Sequence, residues 1–163
     1  MDKLWAPWRV KYVTKIAGKI TGCVFCKICK EHKDKKNFVF LRSPYSYSVL
    51  NIYPYNNGHV LIVPYRHVND LSKLKKWEKE DLFELMEATK SLLDKALKPG
   101  GYNIGINLGR IAGAGFPGHL HIHLVPRWGG DVNFMPVIGN TKIISQSLLT
   151  LYSRLTHANK KRH

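Results

Sequence analysis

Three histidines alternate with aliphatic residues in the segment His-Leu-His-Ile-His-Leu-Val at residues 119–125. Successive side chains of a β-strand point to opposite faces, so this alternation predicts a strand whose three imidazoles share one face. Leu120, Ile122 and Leu124 share the other face, which can pack on a hydrophobic core. Imidazole titrates near neutral pH and acts as nucleophile, acid, base or metal ligand. The alternation alone therefore leaves two kinds of site open: a metal centre, or a phosphoryl or nucleotidyl transfer site with a histidine nucleophile.

The length and composition are typical of a single globular domain. The chain has 163 residues, of which 44% are hydrophobic, and this is enough for one core. No apolar run approaches the length that crosses a membrane, and the N-terminus lacks the pattern of a signal peptide. We therefore expect one domain over residues 1–163, in the cytoplasm and away from membranes. Residues 1–22, which are aromatic and basic, are expected to dock on another surface, and residues 159–163 to form a basic tail.

The chain is strongly basic, with a formal net charge of +15. Lysine and arginine cluster at residues 30–36, 73–79 and 160–162. Such a field attracts polyanions, which include nucleotides, nucleic acids and anionic membranes. The alternative is a solvated lysine-rich surface of the kind found in heat-adapted proteins. The charge supports a phosphate-bearing substrate without identifying it.

The cysteines indicate a metal rather than disulfides. There are three of them, Cys23, Cys26 and Cys29, and an odd number argues against a disulfide framework. Cys23 and Cys26 have the spacing of one half of a zinc site, which histidines would have to complete because there is no second pair. The alternative is two buried thiols. Cys29 continues the spacing and is expected to be a bystander.

The hydrophobic pattern predicts an α+β domain built on an antiparallel sheet. Strands are predicted at residues 37–42, 47–53, 59–64, 102–108 and 119–125. A long helix is predicted at residues 78–97 and a C-terminal helix at residues 142–158. Residues 109–118 contain four glycines and form a loop whose backbone N–H groups can approach an anion.

With this segment at residues 119–125, the chain resembles the histidine triad family, whose motif is His-x-His-x-His followed by two apolar residues. Residues 57–59, Asn-Gly-His, lead into an apolar strand, Pro64 and His67, as in that family, and Asn107 precedes the glycine-rich loop. The resemblance runs from about Cys23 to Arg127. It implies the histidine triad fold, a five-stranded antiparallel sheet curved as a half-barrel with one long helix and a C-terminal helix.

Two further segments are similar to one branch of the family. Residues 126–134 and Trp-Ala-Pro-Trp-Arg at residues 5–9 resemble the branch that contains diadenosine tetraphosphate phosphorylases and related adenylyltransferases. This resemblance implies cleavage of an adenine dinucleotide polyphosphate, or another nucleotide, with phosphate or water as the acceptor. It also implies a homodimer, in which the N-terminal segment is a candidate for packing on the partner chain.

The resemblance also implies roles for individual residues. His121 would be the nucleophile that attacks the α-phosphorus and forms a nucleotidyl-histidine. His123 would hold or protonate phosphate oxygens, and His59 would orient the triad. The expected substrate-binding residues are Asn107 for ribose or phosphate, the backbone of Gly113, Ala114 and Gly115 for the phosphates, and Trp128 for stacking.

A structural zinc ion is implied by the zinc-containing relatives. Its ligands would be Cys23, Cys26, His67 and His119, and a closed set of two thiolates and two imidazoles is structural rather than catalytic. His32 is a rival fourth ligand. A catalytic zinc bound by all three triad histidines would leave the cysteine pair without a purpose.

Two other functions are compatible with parts of the sequence. Phosphoramidate hydrolases of this family carry Gln-Ser where this chain has Gly115 and Phe116, with one extra residue after Asn107. The usual hydroxyl contact to the leaving group is therefore absent, which argues against that activity. A DNA-end deadenylating or nucleic-acid-binding protein is suggested by the charge, but the sequence shows no appended DNA-binding module or aromatic stacking platform. Base specificity, polyphosphate length and the choice between phosphorylase and hydrolase stay open.

Overall fold

The computed structural model describes residues 22–132 and 144–160. The helices in these residues are α1 (Val24–Glu31), α2 (Asp34–Asn37), α3 (Lys76–Leu97) and α4 (Leu148–Lys160). The strands are β1 (Val39–Arg42), β2 (Ser46–Leu50), β3 (Val60–Pro64), β4 (Gly101–Ile106) and β5 (Ile122–Arg127). A single 3₁₀ turn at Leu71–Lys73 precedes α3.

The five strands form one antiparallel sheet in the order β1-β2-β3-β5-β4. This confirms the predicted α+β class and the five-stranded antiparallel sheet. One row of paired positions crosses the whole sheet, with one residue from each strand: Val39, Val49, Leu61, His123 and Gly105. Directly paired residues project on the same face, so the histidine face of β5 continues into an aliphatic face over β1, β2 and β3.

The main hydrophobic core lies between the sheet and helices α3 and α4. Leu120, Ile122 and Leu124 belong to it, as the alternation predicts. They pack with leucines that α3 and α4 turn towards the sheet, which are Leu82, Leu85, Leu92, Leu93, Leu151 and Leu155. The apolar side of the histidine segment is therefore fully used in packing, and its imidazoles lie on the other side.

A second, smaller core covers that other side and holds α1 on the sheet. Phe25 of α1 packs with side chains of β1, β2 and β3, which are Val39, Tyr47, Val49, Leu61 and Val63. The Tyr47 hydroxyl is buried and donates to the Phe25 carbonyl at 2.9 Å. The cysteine-bearing helix is thus fixed beside the histidine face.

The histidine strand begins later than its alternation predicts. Regular pairing starts at Ile122, so His119 and His121 lie in the extended segment that leads into β5. Continued pairing would place Leu120 opposite Pro64, which has no N–H to donate. The Leu120 N–H donates instead to the Val68 carbonyl at 2.6 Å.

The remaining predictions agree with the structure to differing extents. The long helix starts two residues before the predicted Glu78. The C-terminal helix begins at Leu148, where the Ser147 hydroxyl accepts from the Thr150 N–H and caps it. Residues 1–21, which hold nearly all of the predicted docking segment, and residues 161–163 of the tail lie outside the described residues. In the described part, no helix is long and apolar enough to span a membrane.

Candidate active site and metal centre

Two cysteines and two histidines converge at the N-terminal end of α1. Cys23 immediately precedes the helix and Cys26 lies one turn later, while His67 follows β3 and His119 precedes β5. Their ligand atoms all lie within 4.8 Å of one another. The Cys23 Sγ to His119 Nδ1 distance is 3.2 Å, and the Cys26 Sγ to His67 Nδ1 distance is 3.3 Å. Two thiolates and two imidazoles in this arrangement fit a tetrahedral zinc ion.

The protonation of His119 suits a metal ligand. Its Nε2–H donates to the Pro64 carbonyl at 2.9 Å, which leaves the Nδ1 lone pair facing the sulfur atoms. Burial lowers the pKa of His119 to about 4, although the bond to Pro64 opposes this shift, so the imidazole is neutral at physiological pH. A backbone acceptor on the non-ligating nitrogen is the usual way in which proteins orient such a ligand.

Cys29 and His32 lie outside this four-residue group in the described part of the chain. Cys29 is on α1 and packs beside the smaller core. His32 is exposed at the C-terminal end of α1, in a left-handed conformation with φ of 48°. The geometry therefore favours His67 over His32 beside the cysteine pair.

His121 presents one unprotonated nitrogen. Its Nδ1–H donates to the His119 carbonyl at 2.8 Å, so its Nε2 keeps a lone pair. The side chain is 5% exposed and lies against Phe25, with ring centroids 5.1 Å apart. Burial lowers the pKa of His121, although the bond to the carbonyl opposes this, and the ring is held in its neutral, nucleophilic form.

His59 and Tyr55 fix the tautomer of His123. The Tyr55 backbone N–H donates to His59 Nδ1 at 3.0 Å, so the hydrogen of His59 is on Nε2. That nitrogen is 2.9 Å from His123 Nδ1 and donates to it, which places the His123 hydrogen on Nε2. His59 is 1% exposed, and burial together with the nearby His123 and His121 lowers its pKa to about 3. At Nε2, His123 therefore carries a hydrogen and can donate, whereas Nε2 of His121 carries a lone pair and can accept.

Both histidines line a cavity of about 600 Å³. Its walls are largely apolar and come from α1, β2, β3 and the loop before β5, with Val24, Phe25, Ile28, Val49, Leu50, Leu61 and Phe116. Its polar lining side chains, besides the histidines, are Asn37, Asn51, Tyr53 and Tyr55. An apolar cavity that ends at two imidazoles suits a molecule with a flat, weakly polar body and a phosphate at one end.

The predicted substrate-binding residues are distributed unevenly around this cavity. Within residues 22–132 and 144–160, its lining includes Gly115 but not Asn107, Gly113, Ala114 or Trp128. The N–H groups of Gly113 and Ala114 donate to carbonyls of the same loop, those of Arg110 and Gly109.

Trp128 follows β5 and is half-buried. Its backbone N–H donates to the Asp131 carboxylate, which Arg127 also holds through two bonds of 2.7 and 2.9 Å. This places Trp128 at the start of a braced turn outside the cavity lining.

Sequence reasoning missed several cavity residues. No sequence spacing marks these residues, because their position depends on how α1 and the strands pack together. They are Phe25, Asn37, Asn51 and Phe116. Tyr55 offered one signal, since it is an aromatic residue in the turn before His59. Its ring stacks on His123 with centroids 5.6 Å apart and an interplanar angle of 13°.

Comparison with known proteins gives consistent matches over most of the chain. A family model described as HIT domain matches residues 32–130. AP-4-A phosphorylase from Mycobacterium tuberculosis is 37% identical over 155 residues, which are 91% of this chain and 79% of that protein. Adenosine 5'-monophosphoramidase HNT1 from Saccharomyces cerevisiae is 37% identical over 117 residues, 70% of each chain. A zinc-bound histidine triad family protein from Mycobacterium smegmatis shares the fold, with a TM-score of 0.69 at 22% identity over 86% of this chain and 95% of that one.

Proposed function

The chain belongs to the histidine triad (HIT) family, and we propose that it is a nucleotidyl transferase that cleaves dinucleoside polyphosphates such as diadenosine tetraphosphate. The observation that carries this proposal is the bond from His121 Nδ1–H to the His119 carbonyl, which leaves Nε2 as a buried nucleophile at the end of a nucleoside-sized cavity. The similarity to AP-4-A phosphorylase over 91% of the chain supports the substrate class.

The reaction would proceed in two displacements. In the first, the His121 Nε2 lone pair attacks the α-phosphorus, an N–P bond forms, and the P–O bond to the polyphosphate breaks, with its electron pair leaving on oxygen. His123, as an Nε2–H donor, would stabilise a phosphate oxygen as charge develops. In the second, phosphate or water attacks the same phosphorus, and the N–P bond breaks with its electron pair returning to Nε2, so His121 returns to its neutral form. Where water is the acceptor, its proton passes to solvent.

The other predicted residues enter the proposal in supporting roles. His59 would hold His123 in the required tautomer through the 2.9 Å bond between them. Gly115 would contact the phosphates from the cavity wall, and the backbone of Gly113 and Ala114 would do so once their N–H groups leave the loop carbonyls. Asn107 would bind ribose or phosphate and Trp128 would stack, both from outside the cavity lining.

We further propose a structural zinc ion at Cys23, Cys26, His67 and His119. The donor set of two thiolates and two imidazoles leaves no open position for a substrate, so zinc would act by cross-linking the chain. Reduced thiolate ligands also fit the cytoplasm, where we place this activity.

We also propose that the protein is a homodimer. Strand β4 is at one edge of the sheet, and its Ile104 is 50% exposed. An exposed edge strand with an apolar side chain supports pairing with a second copy of this chain. Sedimentation of the purified protein would test this, with a monomer at all concentrations arguing against it.

Product analysis with diadenosine tetraphosphate, with and without inorganic phosphate, tests the activity. Formation of ADP and ATP that requires phosphate would establish a phosphorylase, and formation of AMP and ATP without phosphate would establish an asymmetric hydrolase. Turnover of adenosine phosphoramidate alone would replace the proposed substrate class. His121→Ala is expected to abolish turnover with zinc content unchanged, while His157→Ala, on the exposed surface of α4, keeps full activity. A His121→Ala variant that retained most of its activity would overturn the mechanism.

A further inference from the structure

The cavity extends across the sheet, from the histidines at one end to the β1 edge at the other. Val39, Val49, Leu61 and His123 form one row over β1, β2, β3 and β5, so the histidine end and the β1 end are three strand spacings apart, about 14 Å. Asn37 lies two residues before Val39 and lines the cavity at the β1 end. A nucleotide whose α-phosphate lies at the histidines therefore extends its base towards Asn37.

The Asn37 amide has a defined orientation. Its Nδ2 donates to Glu31 Oε2 at 3.0 Å, and an ionised carboxylate only accepts, so the amide nitrogen must be the atom that faces Glu31. This same bond, assisted by Lys36 and Lys27, lowers the pKa of Glu31 and keeps the carboxylate ionised. Oδ1 is therefore the amide atom that does not face Glu31, on a side chain that lines the cavity at its β1 end.

The surroundings of Asn37 are apolar. Val24 and Ile28 of α1 and Leu50 of β2 line the cavity with it. These side chains can pack on the faces of any purine and do not distinguish one base from another. The other amide of the lining, Asn51, accepts from the Tyr53 N–H and contacts His59 Nδ1. The oriented Asn37 amide therefore has a large influence on which base is preferred, because an unmatched polar atom there is costly.

We propose that Asn37 is a specificity-determining residue that selects a 6-aminopurine, with Oδ1 accepting a hydrogen bond from the exocyclic amino group of adenine. A 6-oxopurine presents an acceptor oxygen at the same place and meets a second acceptor. The inference rests on the proposed function, since it requires the α-phosphate at the histidine end. Glu31 acts as a positioning residue, because it prevents the amide from rotating to offer its nitrogen.

Equilibrium binding of AMP and IMP to the zinc-loaded protein tests this directly. The two nucleotides have the same charge and nearly the same size and differ at position 6 of the base. We expect the wild-type protein to bind AMP about tenfold to a hundredfold more tightly than IMP. Asn37→Ala is expected to bring the ratio of the IMP and AMP dissociation constants close to one, mainly by weakening the binding of AMP.

Glu31→Gln provides a second route to the same result. A glutamine can accept or donate, so the Asn37 amide is free to rotate, and the ratio should fall while the Asn37 side chain is still present. The matched control is Lys27→Ala, which removes the 3.9 Å ion pair to Glu31 and keeps the bond from Asn37, the larger influence on this carboxylate. The ratio should therefore be unchanged.

The outcomes separate this inference from the proposed function. If wild type binds neither nucleotide, the proposed function fails. If AMP and IMP bind equally well to wild type, or if Asn37→Ala and Glu31→Gln both keep the wild-type ratio, the role of Asn37 is wrong and the proposed function stands.

Discussion

Three imidazoles of the site have their hydrogens placed by backbone groups. The Pro64 carbonyl fixes His119, and the His119 carbonyl fixes His121. The Tyr55 N–H fixes His59. Because backbone groups in packed segments do not reorient, Nε2 of His121, the proposed nucleophile, is unprotonated before any substrate arrives. No separate general base is then required to generate the nucleophile.

The same burial makes the fold sensitive to acid through His59. Its pKa in the folded protein is about 3, below the ordinary 6.5 that applies to the unfolded chain, so the unfolded state takes up the proton first. The stability contributed by neutral His59 is complete above pH 6.5 and is lost as the pH falls from 6.5 towards 3. We expect a loss of about 1.4 kcal/mol in unfolding free energy per pH unit in this window.

Urea denaturation of wild type and His59→Gln at several pH values measures this contribution. The wild-type free energy of unfolding should fall more steeply below about pH 6 than that of the variant, because glutamine does not titrate there. Buried His119, whose pKa does not depend on His59, contributes equally to both proteins and cancels in the difference. Parallel curves for the two proteins would show that the pKa of His59 is the same in the folded and unfolded states.

At the scale of elements, the sequence predicted what its local pattern determines. The apolar run of β3 and the turn at Gly58 before it follow from residue type, since Gly58 has φ of +75° and an added Cβ would lie 2.6 Å from Leu97. The predicted end of β2 at Tyr53 was too late, because the Tyr53 N–H turns back to the Asn51 side chain at 2.9 Å. Local hydrogen bonds of this kind compete with strand pairing and leave no periodic signal.

The candidate site likewise has a part that the sequence predicts and a part that only the tertiary packing determines. The cysteine pair and the histidines were found from spacing and resemblance, and the structure brings Cys23, Cys26, His67 and His119 together. The cavity wall was not predicted, since Asn37 reaches it only through the packing of α1 and α2 against the β1 edge. Contacts set by tertiary packing between distant segments cannot be read from any one of them.

The packing of α3 on the sheet depends on one buried carboxylate. Asp81 is 7% exposed and accepts hydrogen bonds from the Ser43 and Ser46 hydroxyls at 2.7 and 2.6 Å. Asp81→Ala leaves these hydroxyls without their carboxylate, and we expect a loss of about 1–3 kcal/mol in unfolding free energy. Glu80→Ala is the control, because Glu80 is exposed in a 3.8 Å ion pair with Lys76 and should change stability by less than about 0.5 kcal/mol. Equal losses measured by urea denaturation would contradict the role of Asp81.

At the scale of the whole molecule, the proposed metal centre joins three distant parts of the chain. Its ligands come from the start of α1, the segment after β3 and the segment before β5. His121 follows the proposed ligand His119 by two residues and bonds to its carbonyl, so a bound metal would anchor the proposed nucleophile as well as the fold. Stability and activity would then be coupled through one cross-link.

Removal of zinc should lower stability first. We expect Cys26→Ser, or treatment with a strong chelator, to lower the melting temperature by several degrees or more, with activity falling as the protein loosens. Cys29→Ser, outside the ligand group, should keep full zinc content and an unchanged melting temperature. Metal analysis, thermal unfolding and activity would be measured on the same samples. Activity that vanished while the melting temperature stayed constant would instead indicate a catalytic zinc.

The charge of the chain has a direct consequence for a polyphosphate substrate. With 26 lysines and arginines against 11 acidic residues, the protein attracts a polyanion over distances of about a Debye length, roughly 10 Å at 0.1 M salt. The exposed Lys33, Lys35 and Lys36 directly precede Asn37 of the cavity lining and concentrate this field near its β1 end.

We expect kcat/KM to fall several-fold as the salt concentration rises from about 0.05 to about 0.5 M, with kcat nearly constant, because steering acts on encounter rather than on the chemical step. Replacing these three lysines by glutamine should flatten the dependence. The same change at three other exposed lysines, Lys73, Lys76 and Lys79, should have a smaller effect. A kcat/KM independent of salt in wild type would show that the lysines serve only to solvate the surface.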